Sequence, residues 1–203
     1  SRSRAAAFHA TLATRRSIRD FSPDPIPDKV LESCLAAAHS APSGANLQPW
    51  HFTVIQDRAI KRRIRQAAEA EEQEFYESRA PHEWLEALKP FGTDWHKPFL
   101  ETAPALIAIF QKNQTTLCDG SASKTYYPKE STGIATGFLI AALHHAGLAT
   151  LTHTPSPMGF LNEILQRPPT EKPFLLLIAG YPATRCTVPE INKIPLADAS
   201  TFL

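Results

Sequence analysis

The sequence predicts a layered α/β or α+β domain, and three observations carry the prediction. Helical runs alternate with short apolar strand candidates. The run Phe174–Tyr181 is apolar without a break, as in a strand covered on both faces. The 203 residues suffice for one domain with a sizeable core, and no repeat or low-complexity stretch divides them.

Taken in order, Ala5–Thr14 can form a short opening helix. Pro23, Pro25 and Pro27 punctuate a turn, and Pro27-Asp28 suits the start of a helix to about His39, with Val30, Leu31, Cys34, Leu35 and Ala38 at helical spacing. A broken polar stretch, Ala41–Trp50, leads into the strand candidate Trp50–Gln56. A long polar helix is expected from about Asp57 to Ser78. Lys61, Arg62, Arg63 and Arg65 fill its first half and Glu69, Glu71, Glu72, Glu74 and Glu77 its second, the reverse of what the helix macrodipole prefers. Its second half is therefore expected to be weakly held, as a mobile lid or a plain surface helix.

Ala80–Pro98 reads as irregular, with Trp84, Leu85, Leu88, Phe91 and Trp95 as packing points. Ala105–Phe110 is a strand candidate and Asn113–Pro128 a polar loop. Lys129–Gly147 is the most apolar helix, with Ile134, Phe138, Leu139, Ile140 and Leu143; it is expected to be buried, in the core or in a subunit interface. It is too short and too interrupted to span a membrane. Leu148–Thr152 is a short strand, Phe160–Leu165 a short helix, and from Pro182 the tail is irregular.

The formal charge is +1, which gives no electrostatic case for nucleic acid or an anionic membrane. Cys34, Cys118 and Cys186 are far apart and odd in number, which points to a reducing compartment, hence a cytoplasmic location, rather than to a disulfide framework. No signal peptide is legible, and Ser1–Arg4 reads equally as a native start or a truncation.

Several chemistries lack their residues. No His or Cys spacing marks a metal site, and the adjacent His144 and His145 read as helix surface or interface. There is no Gly-x-Ser-x-Gly elbow, Walker loop or Gly-x-Gly-x-x-Gly turn. An enzyme with neither metal nor evident nucleophile must borrow its reactivity from an organic cofactor.

Three stretches can serve such a group. In Ala41-Pro42-Ser43-Gly44-Ala45-Asn46-Leu47-Gln48-Pro49-Trp50, prolines stiffen the chain, Gly44 admits φ > 0, and hydroxyl and amide side chains offer hydrogen bonds. It is either an ordinary turn or a rigid loop for a flat polar ligand. In Arg15-Arg16-Ser17-Ile18-Arg19, an extended chain puts Arg15, Ser17 and Arg19 on one side, a solvated basic patch or a phosphate site. In Thr150–Met158, hydroxyls crowd a strand end that Pro155 and Pro157 stiffen, which by itself is a turn.

The order Arg-Arg-Ser-Ile-Arg, helix, Ala-Pro-Ser-Gly-Ala-Asn-Leu-Gln-Pro-Trp resembles the FMN-dependent nitroreductase family. The resemblance runs from about Arg15 to about Leu196. It implies an α+β, three-layer α/β/α sandwich with a central mixed sheet, and a homodimer with two FMN sites lined by both subunits. It implies one domain over 1–203, with a lid at about 69–98 and the irregular tail from about 182. By the same resemblance Arg15, Arg16, Ser17, Arg19 and Lys193 serve the ribityl-phosphate end and ring edge of FMN. Pro42, Ser43 and Gly44 line the ring. Thr152, His153 and Thr154 run past its reactive edge, where Thr154 donates toward flavin N5 and favours one-electron chemistry. Most relatives carry Arg where Lys193 stands; lysine binds phosphate as a point charge, without the fork.

Glu72 and Tyr76 lie four apart and share a helical face; Lys97 follows in Thr93-Asp94-Trp95-His96-Lys97. They are either three unrelated surface residues or a chelate for an amino-acid zwitterion, Glu72 on the ammonium and Tyr76 and Lys97 on the carboxylate. With Asp94–Pro104, Glu130–Ala135 and Gly180-Tyr181-Pro182, these spacings resemble the iodotyrosine deiodinase branch of that family. The resemblance implies reductive dehalogenation of halotyrosines such as 3-iodotyrosine, with the phenolate near the Ala45 backbone N–H. NAD(P)H or a reductase partner would supply the electrons. Two other readings stay open: a general NAD(P)H-dependent nitroreductase or quinone reductase, and a non-catalytic binder of flavin or tyrosine derivatives.

Overall fold

The computed structural model describes residues 1–116 and 120–203, so Cys118 lies outside the described residues. Four strands form the central sheet: β1 (Trp50–Ile55), β2 (Ala105–Lys112), β5 (Ala149–His153) and β6 (Glu171–Gly180), in the order β1-β2-β6-β5, all neighbours antiparallel. A parallel bridge between Ser17 and Thr150 lays the N-terminal segment along the free side of β5 and makes the sheet mixed.

The central strands explain their own composition. Ala105 to Phe110 and Leu176 to Ala179 are buried, because helices cover both faces and every side chain meets apolar neighbours. Leu106, Ala108 and Phe110 join one core with Ile64, Ala68, Leu100, Leu161 and Ile178. Ile107 and Ile109 point the other way and join Leu31, Cys34, Leu139, Leu143 and Leu177. One helical layer is therefore α3 (Arg58–Glu74), α5 (Phe99–Thr102) and α7 (Phe160–Leu165). The other is α2 (Asp28–His39) against α6 (Pro128–His145).

The structure differs from the sequence reading in five places. The opening helix α1 spans Arg2–Ala13 and has no buried residue; it is tied to α6 where His144 Nε2 meets Thr11 O at 2.8 Å. β6 starts at Glu171, ahead of Pro173, because the register shifts between Ile109 and Phe110 and a bulge tolerates a residue without an N–H. Asn113–Pro128 holds a small hairpin, β3 (Gln114–Thr116) and β4 (Ala122–Lys124). Ala80–Pro98 holds α4 (His82–Leu88), preceded by a π-helical turn at Phe75–Arg79. α6 is not buried all round: Ile134 and Phe138, one turn apart, are 44% and 42% exposed. No helix of the described residues is long and apolar enough to cross a membrane.

Candidate functional site

Two of the three segments meet at the sheet edge formed by β5, whereas the loop before β1 leads into the opposite edge. Ser17 pairs with Thr150, and Ile18 packs into the core, so Ser17 and Arg19 face away from it, as an extended chain requires. Arg16, Ser17, Arg19 and Thr152 line a cavity of about 150 Å³ with Phe91 and the tail residues Pro189 and Ile191. Arg16 donates to Pro189 O, which fastens the tail there. The Arg19 guanidinium carbon lies 6.0 Å from the centre of the Phe91 ring, at the reach of a cation–π contact. Among the described residues no carboxylate pairs with Arg15, Arg16 or Arg19. Their charges are thus not neutralised by a neighbouring carboxylate, and their forked donors suit a phosphate. Arg15 stands beside the cavity rather than in its wall, and Lys193 is exposed further down the tail.

The loop before β1 has an unusual backbone. Gly44–Asn46 make one tight turn, and Ala45, Asn46 and Gln48 adopt φ of 50°, 55° and 48°. Ser43 Oγ accepts the Gln48 N–H at 2.9 Å, and Gln48 Nε2 donates to Asn46 O at 2.8 Å, so two of the loop's polar groups brace the loop itself. Pro42 and Ala45 are exposed, and the Ala45 N–H finds no acceptor among the described residues. A Cβ at Gly44 would come within 3.1 Å of Tyr126 O and 3.2 Å of the Tyr127 ring, so a side chain there would push these neighbours back by a few tenths of an ångström. Among the described residues no hydrogen bond or ion pair joins this loop to Arg15–Arg19.

The third group is the one whose spacing pointed to a zwitterion. Glu72 Oε2 stands 3.2 Å from Lys97 Nζ, and the two side chains are only 15% and 5% exposed. The Tyr76 hydroxyl donates to Thr93 O at 3.4 Å, and Lys97 Nζ lies 5.4 Å from the centre of the Tyr76 ring. Lys97 also donates to Thr93 Oγ1 at 3.2 Å and to Asp94 O. Burial, then the Glu72 carboxylate, pushes the Tyr76 phenol above its ordinary pKa, so it stays a neutral donor.

His153, at the end of β5, joins this group from below. Its Nδ1 is 3.9 Å from Glu72 Oε1, its ring meets Phe99 edge-on at 5.8 Å, and its buried Nε2 has no partner. Burial first, then Lys97 and Arg19, lower its pKa to about 3, so the imidazole is neutral at neutral pH. The sequence placed His153 only along a cofactor edge; its proximity to Glu72 is a long-range fact with no local signal. Thr152 and Thr154 on either side are exposed, as alternation along a strand end requires.

A larger cavity of about 510 Å³ lies by Arg58, Lys61, Arg65 and Glu101. Arg65 and Glu101 pair with each other at 3.1 Å and Lys61 is spent on backbone carbonyls, which leaves little for a ligand. Among the described residues no group of three or more His, Cys, Asp or Glu is arranged to hold a metal ion.

The described residues therefore offer guanidiniums that no carboxylate neutralises and a shielded pair of opposite charges beside a phenol, both near β5, and separately, ahead of β1, an exposed loop with a free N–H. The chain is similar to known proteins over most of its length. The chain is 55% identical over 191 residues to the iodotyrosine deiodinase of Haliscomenobacter hydrossis, covering 94% of this chain and 86% of that one. It is 41% identical over 194 residues to human iodotyrosine deiodinase 1, covering 95% of this chain and 67% of that one. Its fold superposes with a TM-score of 0.79 and 29% identity on a crystal structure of oxidized iodotyrosine deiodinase bound to FMN and 3-iodo-L-tyrosine, covering 93% and 96% of the two chains. The model of the Nitroreductase family matches residues 12–181, and the chain belongs to that family.

Proposed function

We propose that the chain is an FMN-dependent oxidoreductase that removes halide reductively from halotyrosines such as 3-iodotyrosine, releasing tyrosine. The observation that carries this reading is the shielded Glu72–Lys97 pair at 3.2 Å with Tyr76 beside it, the charge complement of an amino-acid zwitterion. When bound, FMN supplies the two electrons that, with one proton, replace the halogen by hydrogen.

The chain's own residues bind, orient and shield. Arg15, Arg16 and Arg19, which no carboxylate neutralises, would hold the FMN phosphate with Ser17, and Lys193 would add a point charge from the tail. Pro42, Ser43 and Gly44 would line the flavin ring, and Thr152, His153 and Thr154 would follow its reactive edge. The Thr154 hydroxyl would donate toward that edge, as the catalytic group. The Ala45 N–H receives the substrate phenolate. Glu72 takes the substrate ammonium and Tyr76 and Lys97 its carboxylate. The two charges exchange each other for the zwitterion, which closes residues 69–98 as a lid and excludes water.

A homodimer completes the site. The 150 Å³ cavity is below the roughly 300–1,000 Å³ that ligand pockets occupy, so one chain alone does not enclose a flavin. Ile134 and Phe138 on α6, and Ile191, Ile194, Leu196 and Phe202 in the tail, leave apolar surface for a second copy to cover. NAD(P)H or a reductase partner supplies the electrons, and the compartment is the cytoplasm.

The experiment is anaerobic. Reduced, FMN-loaded protein is mixed with 3-iodotyrosine; flavin reoxidation with stoichiometric tyrosine and iodide is expected, from a particle of twice the chain mass. Flavin that stays reduced with 3-iodotyrosine but reoxidises with a nitroaromatic would make the chain a general nitroreductase.

A further inference from the structure

We infer that Glu69, which lies outside the chelate, is the positioning residue that holds Lys97 opposite Glu72; the inference rests on the halotyrosine reading above. Glu69 precedes Glu72 by one turn of α3. Its Oε1 accepts the Lys97 backbone N–H at 2.7 Å and Arg65 Nε at 2.8 Å. The carboxylate is 16% exposed, so water competes little for these bonds.

The residues after Lys97 are fastened to the same helix. Arg65 Nη1 reaches Glu101 Oε2 at 3.1 Å, and Arg62 Nε reaches Glu101 Oε1 at 3.1 Å. The buried Lys61 ammonium donates to Glu101 O at 3.0 Å and to Ala103 O at 2.7 Å, closing the end of α5. Glu69 is the near end of this clamp and Lys61 the far end.

The clamp matters because of what the ligand displaces. Lys97 Nζ bonds Thr93 and Asp94, but these lie in its own loop and fix nothing against α3. The Glu72–Lys97 pair does cross from loop to helix, yet an entering zwitterion replaces it. The Glu69 bond is to the backbone of Lys97 and no substrate charge competes for it. Because Glu69 and Glu72 lie one turn apart on the same helix, the bond sets the distance between the two poles of the chelate before the ligand arrives, which lowers the ordering cost of binding.

Two variants and two readouts test this. Glu69→Ala removes the acceptor; it should raise KM for 3-iodotyrosine about tenfold or more, the value of one charge-assisted bond, with kcat unchanged. Turnover of a nitroaromatic without a zwitterion and FMN content should stay at wild-type levels. Glu69→Gln keeps an oxygen for the Lys97 N–H, so it should recover most of the lost affinity. Independently of any substrate, Glu69→Ala should speed hydrogen exchange at the Lys97 amide and Glu69→Gln should restore its protection. An unchanged KM in Glu69→Ala, equal loss in both variants, or a parallel fall in nitroaromatic turnover would overturn the positioning role. If the wild type itself ignores 3-iodotyrosine, the halotyrosine reading fails, and the exchange measurement still decides whether Glu69 holds the loop.

Discussion

The two halves of α3 are held by different forces. Up to Ala68 the helix is an anchor: Asp57 caps it by accepting the Ile60 N–H at 2.8 Å, and Ile64 and Ala68 are fully buried under the sheet. Beyond Ala68 no residue of the helix or of the π turn that follows is buried. There the fixings are polar, from Glu69 to Arg65 and the Lys97 backbone and from Glu72 to Lys97. Apolar burial is indifferent to what a ligand carries, whereas an ion pair can be handed over to a molecule with the same two charges. One helix thus joins a half fixed by apolar burial to a half fixed by polar contacts.

The largest expected effect attacks the anchor. Ile64→Ala should cost about 2–5 kcal/mol of folding stability, because a fully buried branched side chain leaves a cavity. Thermal or urea unfolding measures it, and 3-iodotyrosine affinity of the folded variant should stay close to wild type. An affinity loss as large as the stability loss would mean that the halves are not separable.

Next comes the lid. Glu72→Gln keeps the shape and removes the charge, and should cost about 1.5–3 kcal/mol of halotyrosine binding, roughly ten- to over a hundredfold. Quenching of oxidised FMN fluorescence by 3-iodotyrosine reads this directly. Nitroaromatic turnover and FMN content should hardly change. Binding as tight as wild type would remove Glu72 from the chelate.

The smallest effect, per pH unit, sharpens the boundary between the two. His153 belongs to the sheet and touches the lid. Its pKa falls from 6.5 to about 3 on folding, so between those values the unfolded chain takes up a proton that the folded chain refuses. Stability from this group is therefore complete above about pH 6.5 and is lost on acidification toward pH 3, by at most ~1.4 kcal/mol per unit. Urea midpoints from pH 7 to 5 should fall less steeply in His153→Gln than in the wild type; identical slopes would show that His153 titrates alike in both states.

What could be read beforehand follows the reach of each signal. β1, β2, α2 and α6 were legible because apolar periodicity is local, and Phe174–Tyr181 because both of its faces are covered. The start of β6 was hidden by Pro173, since a bulge is made by the partner strand's register. α4 went unread because it buries no residue, and β3 and β4 because three residues are too few to carry a period. Glu72, Tyr76 and Lys97 were named from a family likeness; their meeting depends on the fold of residues 77–96 and no spacing rule supplies it. The Arg65–Glu69 pair had a signal, the i,i+4 spacing, but its bond to the Lys97 backbone had none. The exposure of Ile134 and Phe138 is a property of the single chain, and composition alone had marked that helix for burial or for an interface.

The loop before β1 carries a consequence for protein engineering. Ala45, Asn46 and Gln48 sit in left-handed backbone conformations that disfavour side-chain-bearing residues by roughly 1–2 kcal/mol each. The loop's two internal hydrogen bonds, worth about 0.5–1.5 kcal/mol each, offset only part of that cost. The path is imposed by the neighbours that grip the loop's ends: Lys112 N and Thr132 Oγ1 on the Pro49 carbonyl, at 2.9 and 3.1 Å, and Tyr126 and Tyr127 against Gly44. Those neighbours belong to the end of β2 and the start of α6, far away along the chain. The ten residues Ala41–Trp50 are therefore not a portable cassette. Transplanted into another scaffold, they would bring their side chains and leave their shape behind.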